Sequence, residues 1–120
     1  MSMTVYGIPN CDTVKKARAW LVDKEIDYRF HDFRKDGIDA ALAGQMLAAL
    51  GAEKLVNKRG TTWRKLDSAG QQAALAMNTA AGFLAENPTL IKRPVIAVAD
   101  RWFIGFSKQD IQALSEHLML

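Results

Sequence analysis

The sequence has one cysteine, Cys11, and its position is what gives it chemistry. It lies in Val5-Tyr6-Gly7-Ile8-Pro9-Asn10-Cys11-Asp12-Thr13-Val14-Lys15-Lys16-Ala17. Thr4 to Gly7 reads as a short strand. Gly7 to Asn10 reads as a turn, with glycine for conformational freedom, proline for a fixed φ and asparagine as a cap. From Asp12 the pattern becomes helical, with Val14, Ala17, Leu21 and Val22 on one face. Cys11 therefore stands where a strand hands over to a helix N-terminus. Unpaired N–H groups and the positive end of the helix dipole favour an anion there, and a thiolate is such an anion. With Lys15, Lys16 and Arg18 close behind, the thiol is expected to ionise below the ~8.5 of an ordinary cysteine. The chemistry this implies is nucleophilic attack by sulfur. The other role open to a lone cysteine, a small buried hydrophobe, does not suit a turn followed by cations.

A second stretch, Lys54-Leu55-Val56-Asn57-Lys58-Arg59-Gly60-Thr61-Thr62-Trp63-Arg64-Lys65, carries five cations and no acid. Two readings stand side by side. It is a solvated basic face, or it is an anion pocket in which Arg59, a glycine and two threonines present donors to an oxyanion. In Ile91-Lys92-Arg93-Pro94 the proline directly precedes a strand, a position well suited to a cis bond that would hold backbone beside the cysteine loop. His31 falls on the polar phase of its strand and is expected to be solvated. His117 lies late in a helix, where a cation complements the dipole. No metal site is expected.

These residues need elements to position them. Tyr28-Arg29-Phe30-His31-Asp32-Phe33 alternates aromatic with polar, the period of a half-buried strand. Strand, helix and strand within about thirty residues make a βαβ unit, with parallel pairing and a right-handed crossover. Arg34-Lys35-Asp36-Gly37 turns the chain. From about 38 to 87 the sequence is helical and rich in alanine. Leu42, Met46, Leu47 and Leu50 form one face, with Gly51 as the C-cap. Leu66, Ala69, Ala73 and Ala76 form a shallower face, and Ala80, Phe83 and Leu84 begin the next. Breaks near Gly60 and Asn78 divide the region into short helices expected to pack on one another as a subdomain over the βαβ unit. Met46 and Met77 are expected in the core. Val95-Ile96-Ala97-Val98-Ala99 is a β-branched central strand. Asp100-Arg101 turns it, and Trp102-Phe103-Ile104-Gly105 returns as a hairpin. Ser107-Lys108-Gln109-Asp110 has capping-box form ahead of a final helix faced by Ile111, Leu114 and Leu118.

Length and composition agree with one domain over residues 1–120, long enough to bury a core without staples. The hydrophobic share of 49% and charged share of 24% are those of a globular chain and exclude a disordered one. A net charge of +3 suits a small anionic ligand as readily as a nucleic acid. A single cysteine excludes an internal disulfide and points to a reducing compartment. Met1-Ser2-Met3-Thr4 has neither a charged lead nor a long apolar run, and no span of membrane length follows, so a cytoplasmic protein is expected.

The order is thus β-α-β, a helical insertion, then β-β-α, an α/β fold with a mixed four-stranded sheet. The residues resemble the ArsC family, the arsenate-reductase-related proteins on a thioredoxin-like fold, and most closely its YffB-type branch. The likeness runs nearly end to end. It rests on Tyr6-Gly7-Ile8-Pro9-Asn10-Cys11-Asp12-Thr13, Arg34-Lys35-Asp36-Gly37, Arg59-Gly60-Thr61-Thr62-Trp63-Arg64 and Ile91-Lys92-Arg93-Pro94-Val95. The resemblance implies that Cys11 is the nucleophile, Pro94 the cis-proline, and Arg93 an arginine that binds substrate oxyanion next to the thiolate. Arg59, Lys15, Asn10 and Thr13 are the further candidates for anion binding.

Two departures follow from the same resemblance. Where glutathione-dependent arsenate reductases of the family place a second arginine this chain has Asn57, and where they place a third it has Gly105. An arsenate pocket without them lacks charge-assisted donors. The residue three after Cys11 is Val14, so no resolving thiol accompanies the nucleophile. A lone thiolate that attacks a disulfide stops at a mixed disulfide unless a second thiol arrives from outside. Glutathione is the abundant source in a reducing cytoplasm, with glutaredoxin as a further partner. The expected function is a glutathione-dependent thiol reductase, acting on a small thiol, disulfide or oxyanion substrate, with no direct contact with nucleic acid or membrane. The alternatives are an arsenate reductase of the glutathione/glutaredoxin type and a regulator like the Spx branch, which binds RNA polymerase.

Overall fold

The computed structural model describes residues 2–120. Among them the chain forms β1 (Met3–Gly7), α1 (Asp12–Asp23), β2 (Arg29–Asp32), α2 (Ala40–Leu50), α3 (Ala52–Leu55), α4 (Thr61–Lys65), α5 (Ser68–Leu75), α6 (Ala80–Glu86), β3 (Val95–Val98), β4 (Arg101–Ile104) and α7 (Lys108–Leu118), with a 3₁₀ turn at Pro88–Leu90. The chain clusters into two compact units. One runs up to Asp36 and resumes over Arg93–Leu120, and the other is Gly37–Lys92.

The first unit is built on a sheet of order β2-β1-β3-β4. β1 and β2 are parallel, with Val5 opposite Phe30. β3 runs antiparallel to β1 with Ile96 opposite Val5, and β4 antiparallel to β3 with Phe103 opposite Ile96. This is the mixed sheet of a thioredoxin-like fold. Side chains alternate across a strand, so Met3 and Val5 of β1 are buried while Thr4 and Tyr6 turn to the other face and are half-buried. The buried set joins Leu21 of α1, Ile96 and Val98 of β3 and Leu114 of α7 in one core, ringed by Trp20, Ile26, Tyr28, Phe30, Phe103 and Leu118. Each fully buried aliphatic side chain contributes about 1.5–3 kcal/mol. α7 begins with a complete capping box between Ser107 and Asp110.

Details depart from expectation for local reasons. Val22 is 66% exposed, because it lies about 100° further round α1 than Leu21, past the edge of the buried stripe. The hairpin turn is Ala99-Asp100, since Arg101 pairs with Val98 and already belongs to β4. His31 is not solvated but half-buried. It stands beside Tyr6 in the register, and its ring packs 4.9 Å from that of Tyr6.

In the second unit, α2 is capped by Asp39, which accepts from the Leu42 N–H at 2.8 Å. It ends at Gly51, whose φ of 82° suits a glycine. Ala43 and Met46 are its buried residues. α5 is capped by Asp67 and buries Ala74, while Ala69 and Ala76 face out. The apolar stripe is therefore rotated from the expected one. Met77 is 98% exposed and is not core, because α5 has ended at Leu75 and residue 77 lies in the turn before α6. The loop after α3 is tied to the chain before Arg93 by a bridge between Val56 and Ile91. Two backbone hydrogen bonds flank that bridge, Asn57 N–H to Leu90 O at 2.7 Å and Lys92 N–H to Leu55 O at 2.8 Å. Among the described residues no helix is long and apolar enough to cross a membrane.

Candidate functional site

The site begins with how closely α1 approaches the end of β1. A β-carbon at Gly7 would stand 2.7 Å from Cγ2 of Val14, so only glycine leaves room for the helix to start where it does. The N-cap of α1 is Cys11 itself, in extended backbone at φ −94° and ψ 126°. Asn10, expected as a cap, is exposed one residue earlier. The cysteine carbonyl accepts from the Lys15 N–H at 2.9 Å, the first hydrogen bond of the helix.

At an N-cap, the side chain normally offers an oxygen to the N–H groups of the second and third helical residues. Here the atom is sulfur. It closes no conventional capping hydrogen bond, but the Val14 and Thr13 amides favour its charged form. Partial burial works against the charged form. The Val14 N–H, hydrogen bonding from Arg93, the Thr13 N–H and the charge of Arg93 together outweigh it, and the Cys11 thiol lies below the ordinary cysteine value. The result is a partly exposed thiol held toward its nucleophilic form.

Arg93 reaches the sulfur from the segment leading into β3. Its peptide bond to Pro94 is cis. Pro94 is buried, and its carbonyl accepts from the Gly105 N–H at 2.9 Å. Gly105 itself sits at φ 81°, a conformation that costs any other side chain strain. The structure thus brings Arg93 and the amides of Thr13 and Val14 to Cys11.

The other candidate residues have separate settings. Lys15 is exposed on the first turn of α1. Arg18 is engaged elsewhere, its Nε donating to Tyr28 Oη at 2.8 Å and its guanidinium lying 4.0 Å over the Phe30 ring. Arg59 belongs to the second unit, exposed in the loop between α3 and α4. Its N–H donates to Asn57 Oδ1 at 3.1 Å, so Asn57 shapes the turn that carries Arg59. Within the same basic stretch, Lys58 pairs with Glu53, and the Thr62 hydroxyl hydrogen-bonds the Thr89 hydroxyl at 3.1 Å.

Sequence reasoning missed the part played by Val14, placed there on the apolar face of α1 and where a resolving thiol would stand, and by Gly7, placed where the first strand passes into a turn. No local pattern marks them, since their contact depends on the angle at which α1 leaves β1.

The model of the ArsC family matches residues 6–114. An uncharacterized protein of Haemophilus influenzae is 50% identical over 111 residues, covering 92% of this chain and 96% of its own length. The solved structure of the YFFB protein superposes with a TM-score of 0.84 at 38% identity, covering 93% of this chain and 97% of that one. The global transcriptional regulator Spx of Streptococcus pyogenes is 30% identical over 113 residues, covering 92% of this chain and 83% of the regulator.

Proposed function

The chain belongs to the ArsC family, and from that premise we propose that it is a glutathione-dependent thiol reductase with Cys11 as nucleophile. Membership of the family supports arsenate-reductase-like thiol chemistry. One observation carries glutathione as the co-substrate. The activated thiol of Cys11, with Arg93 beside it, is the only thiol in the chain.

The reaction runs in two exchanges. The Cys11 thiolate attacks one sulfur of a disulfide R–S–S–G, forming the bond Cys11–S–S–G and releasing R–S⁻, which takes a proton from solvent. A glutathione thiolate then attacks the glutathionyl sulfur, forming oxidised glutathione and returning the Cys11 thiolate as leaving group. Two electrons pass from glutathione to the substrate. A low thiol pKa serves both steps, first as thiolate and then as leaving group. Arg93, with Lys15 as a further cation, holds the carboxylates of glutathione. Asn10 and Thr13, beside Cys11 in the chain, are further candidates to hold the anionic partner.

Arsenate is a poorer fit as substrate. Asn57 is committed to a turn, and Gly105 occupies backbone closed to arginine without strain, so neither position adds a charged donor. The likeness to Spx favours a second reading, a regulator that acts through RNA polymerase. Against it, Val14 occupies the place where a Cys-x-x-Cys switch would have its second thiol. The test is mass spectrometry after exposure to oxidised glutathione, followed by reduced glutathione. The proposal expects one glutathione added at Cys11 and then removed, with no adduct on Cys11→Ser. Absence of the adduct, together with capture of polymerase subunits from a lysate, would favour the regulator.

A further inference from the structure

Behind the thiol loop, Gly7 and Val14 meet in a contact that leaves no room for a β-carbon. Val14 is fully buried, and its Cγ2 would lie 2.7 Å from a methyl carbon at residue 7. Unstrained carbon contacts lie at about 3.5–4.0 Å, so one of the two residues would have to move by about 1 Å. The strand end is held from its other side. Gly7 pairs with Asp32 in the parallel register, and its carbonyl accepts from the Phe33 N–H at 2.9 Å. Val14 has no easy escape by rotation, because a β-branched side chain in a helix is restricted to one favoured χ1. The displacement passes to the backbone of Val14, and that backbone carries an N–H that acts on Cys11 Sγ.

We propose that Gly7 and Val14 form a spacer that sets the first turn of α1 against β1 and so aims the Val14 N–H at Cys11 Sγ, which makes Gly7 a positioning residue for the nucleophile. This rests on the reading of Cys11 as the reacting thiol. The charged groups around the sulfur, Arg93 on the segment before β3 and the exposed Asp12 on α1, are unaltered by changes at 7 and 14.

The test is the pH profile of Cys11 alkylation by a neutral reagent in wild type, Gly7→Ala, Val14→Ala and the double variant, with thermal melting of each. Gly7→Ala should move the midpoint upward, so that alkylation below it slows about three- to tenfold. Val14→Ala removes the stop from the helix side and should move the midpoint up by less. The double variant adds one carbon at residue 7 and removes two at residue 14, leaving the residue 14 β-carbon 3.7 Å from the new methyl, an ordinary contact, and should return toward wild type. A Gly7→Ala protein that melts lower but keeps the wild-type midpoint overturns the spacer, because a mere filler would behave that way. So does a double variant no closer to wild type than Gly7→Ala. If Gly7→Ala does not fold, the double variant against Val14→Ala decides: a midpoint nearer wild type supports the spacer, and an equal or higher one overturns it. A wild-type midpoint at or above ~8.5 overturns the activated nucleophile as well. A low wild-type midpoint with unmoved variants overturns the spacer alone.

Discussion

Arg93→Ala removes the one cation that acts on the Cys11 thiolate both as a hydrogen-bond donor and as a charge. Two opposite charges about 4 Å apart attract by ~1 kcal/mol in water and by ~4 kcal/mol at an effective dielectric of 20. Cys11 is partly exposed, so solvent screening puts the loss toward the lower figure, about 1–1.5 kcal/mol. That corresponds to roughly a tenfold slower reaction with a neutral alkylating reagent below the thiol midpoint, which should move up. Glutathione-dependent turnover should fall further, because in the proposed reaction the guanidinium also anchors a carboxylate of glutathione. A hydrogen bond to a charged group contributes about 1.5–3 kcal/mol, a factor of roughly ten to a hundred and fifty. Arg93→Lys should recover the alkylation rate better than the turnover, since an ammonium restores charge but not the planar fork. The assay pairs the alkylation pH series with steady-state reduction of a small glutathione mixed disulfide. An Arg93→Ala protein with unchanged alkylation and unchanged turnover would show that Arg93 neither activates Cys11 nor holds the anionic partner.

Cys11 ionises more readily in the folded chain than in the unfolded one, so it stabilises the fold above the unfolded value of ~8.5, and the contribution disappears as pH falls through the folded value. The melting temperature of wild type less that of Cys11→Ser should therefore be larger near pH ~9 than near pH ~5; a flat difference would contradict the lowered value. Gly105→Ala should lower stability by about 1–2 kcal/mol in chemical denaturation, because its φ of 81° suits only glycine; Gly105→Arg should do at least as much harm without producing arsenate turnover. Met46→Ala should cost about 2–5 kcal/mol, since the side chain is fully buried. Met77→Ala, at 98% exposure, should stay within about 0.5 kcal/mol of wild type.

The first unit was more legible in the sequence than the second, for physical reasons. β1 alternates buried and half-buried residues about a glycine, and the switch to helical period at Asp12 puts Cys11 at the junction without further information. The β-branched run of β3 and the capping box of α7 are similarly local. The alanine-rich stretch gives a flat profile, so its helical phase was ambiguous: Ala74 rather than Ala73 or Ala76 is the buried residue of α5. Met77 shows a related limit, because a methionine beside a helix end reads as core whether or not the helix reaches it. Within the site, the cysteine was readable from type and place, and the arginine preceding Pro94 only from the resemblance to the ArsC family. The Val14 amide, the closeness of Gly7 and the backbone conformation at Gly105 were not, because each depends on how separate elements meet.

In the proposed reaction glutathione, through Cys11, reduces a disulfide rather than arsenate. The most direct measurement sets wild-type reduction of a small glutathione mixed disulfide against wild-type reduction of arsenate, with reduced glutathione and glutaredoxin present in both assays and Cys11→Ser as the blank. The expected result is turnover of the disulfide that is abolished by Cys11→Ser and an arsenate rate near that blank. Efficient arsenate reduction with no activity on the disulfide would contradict it.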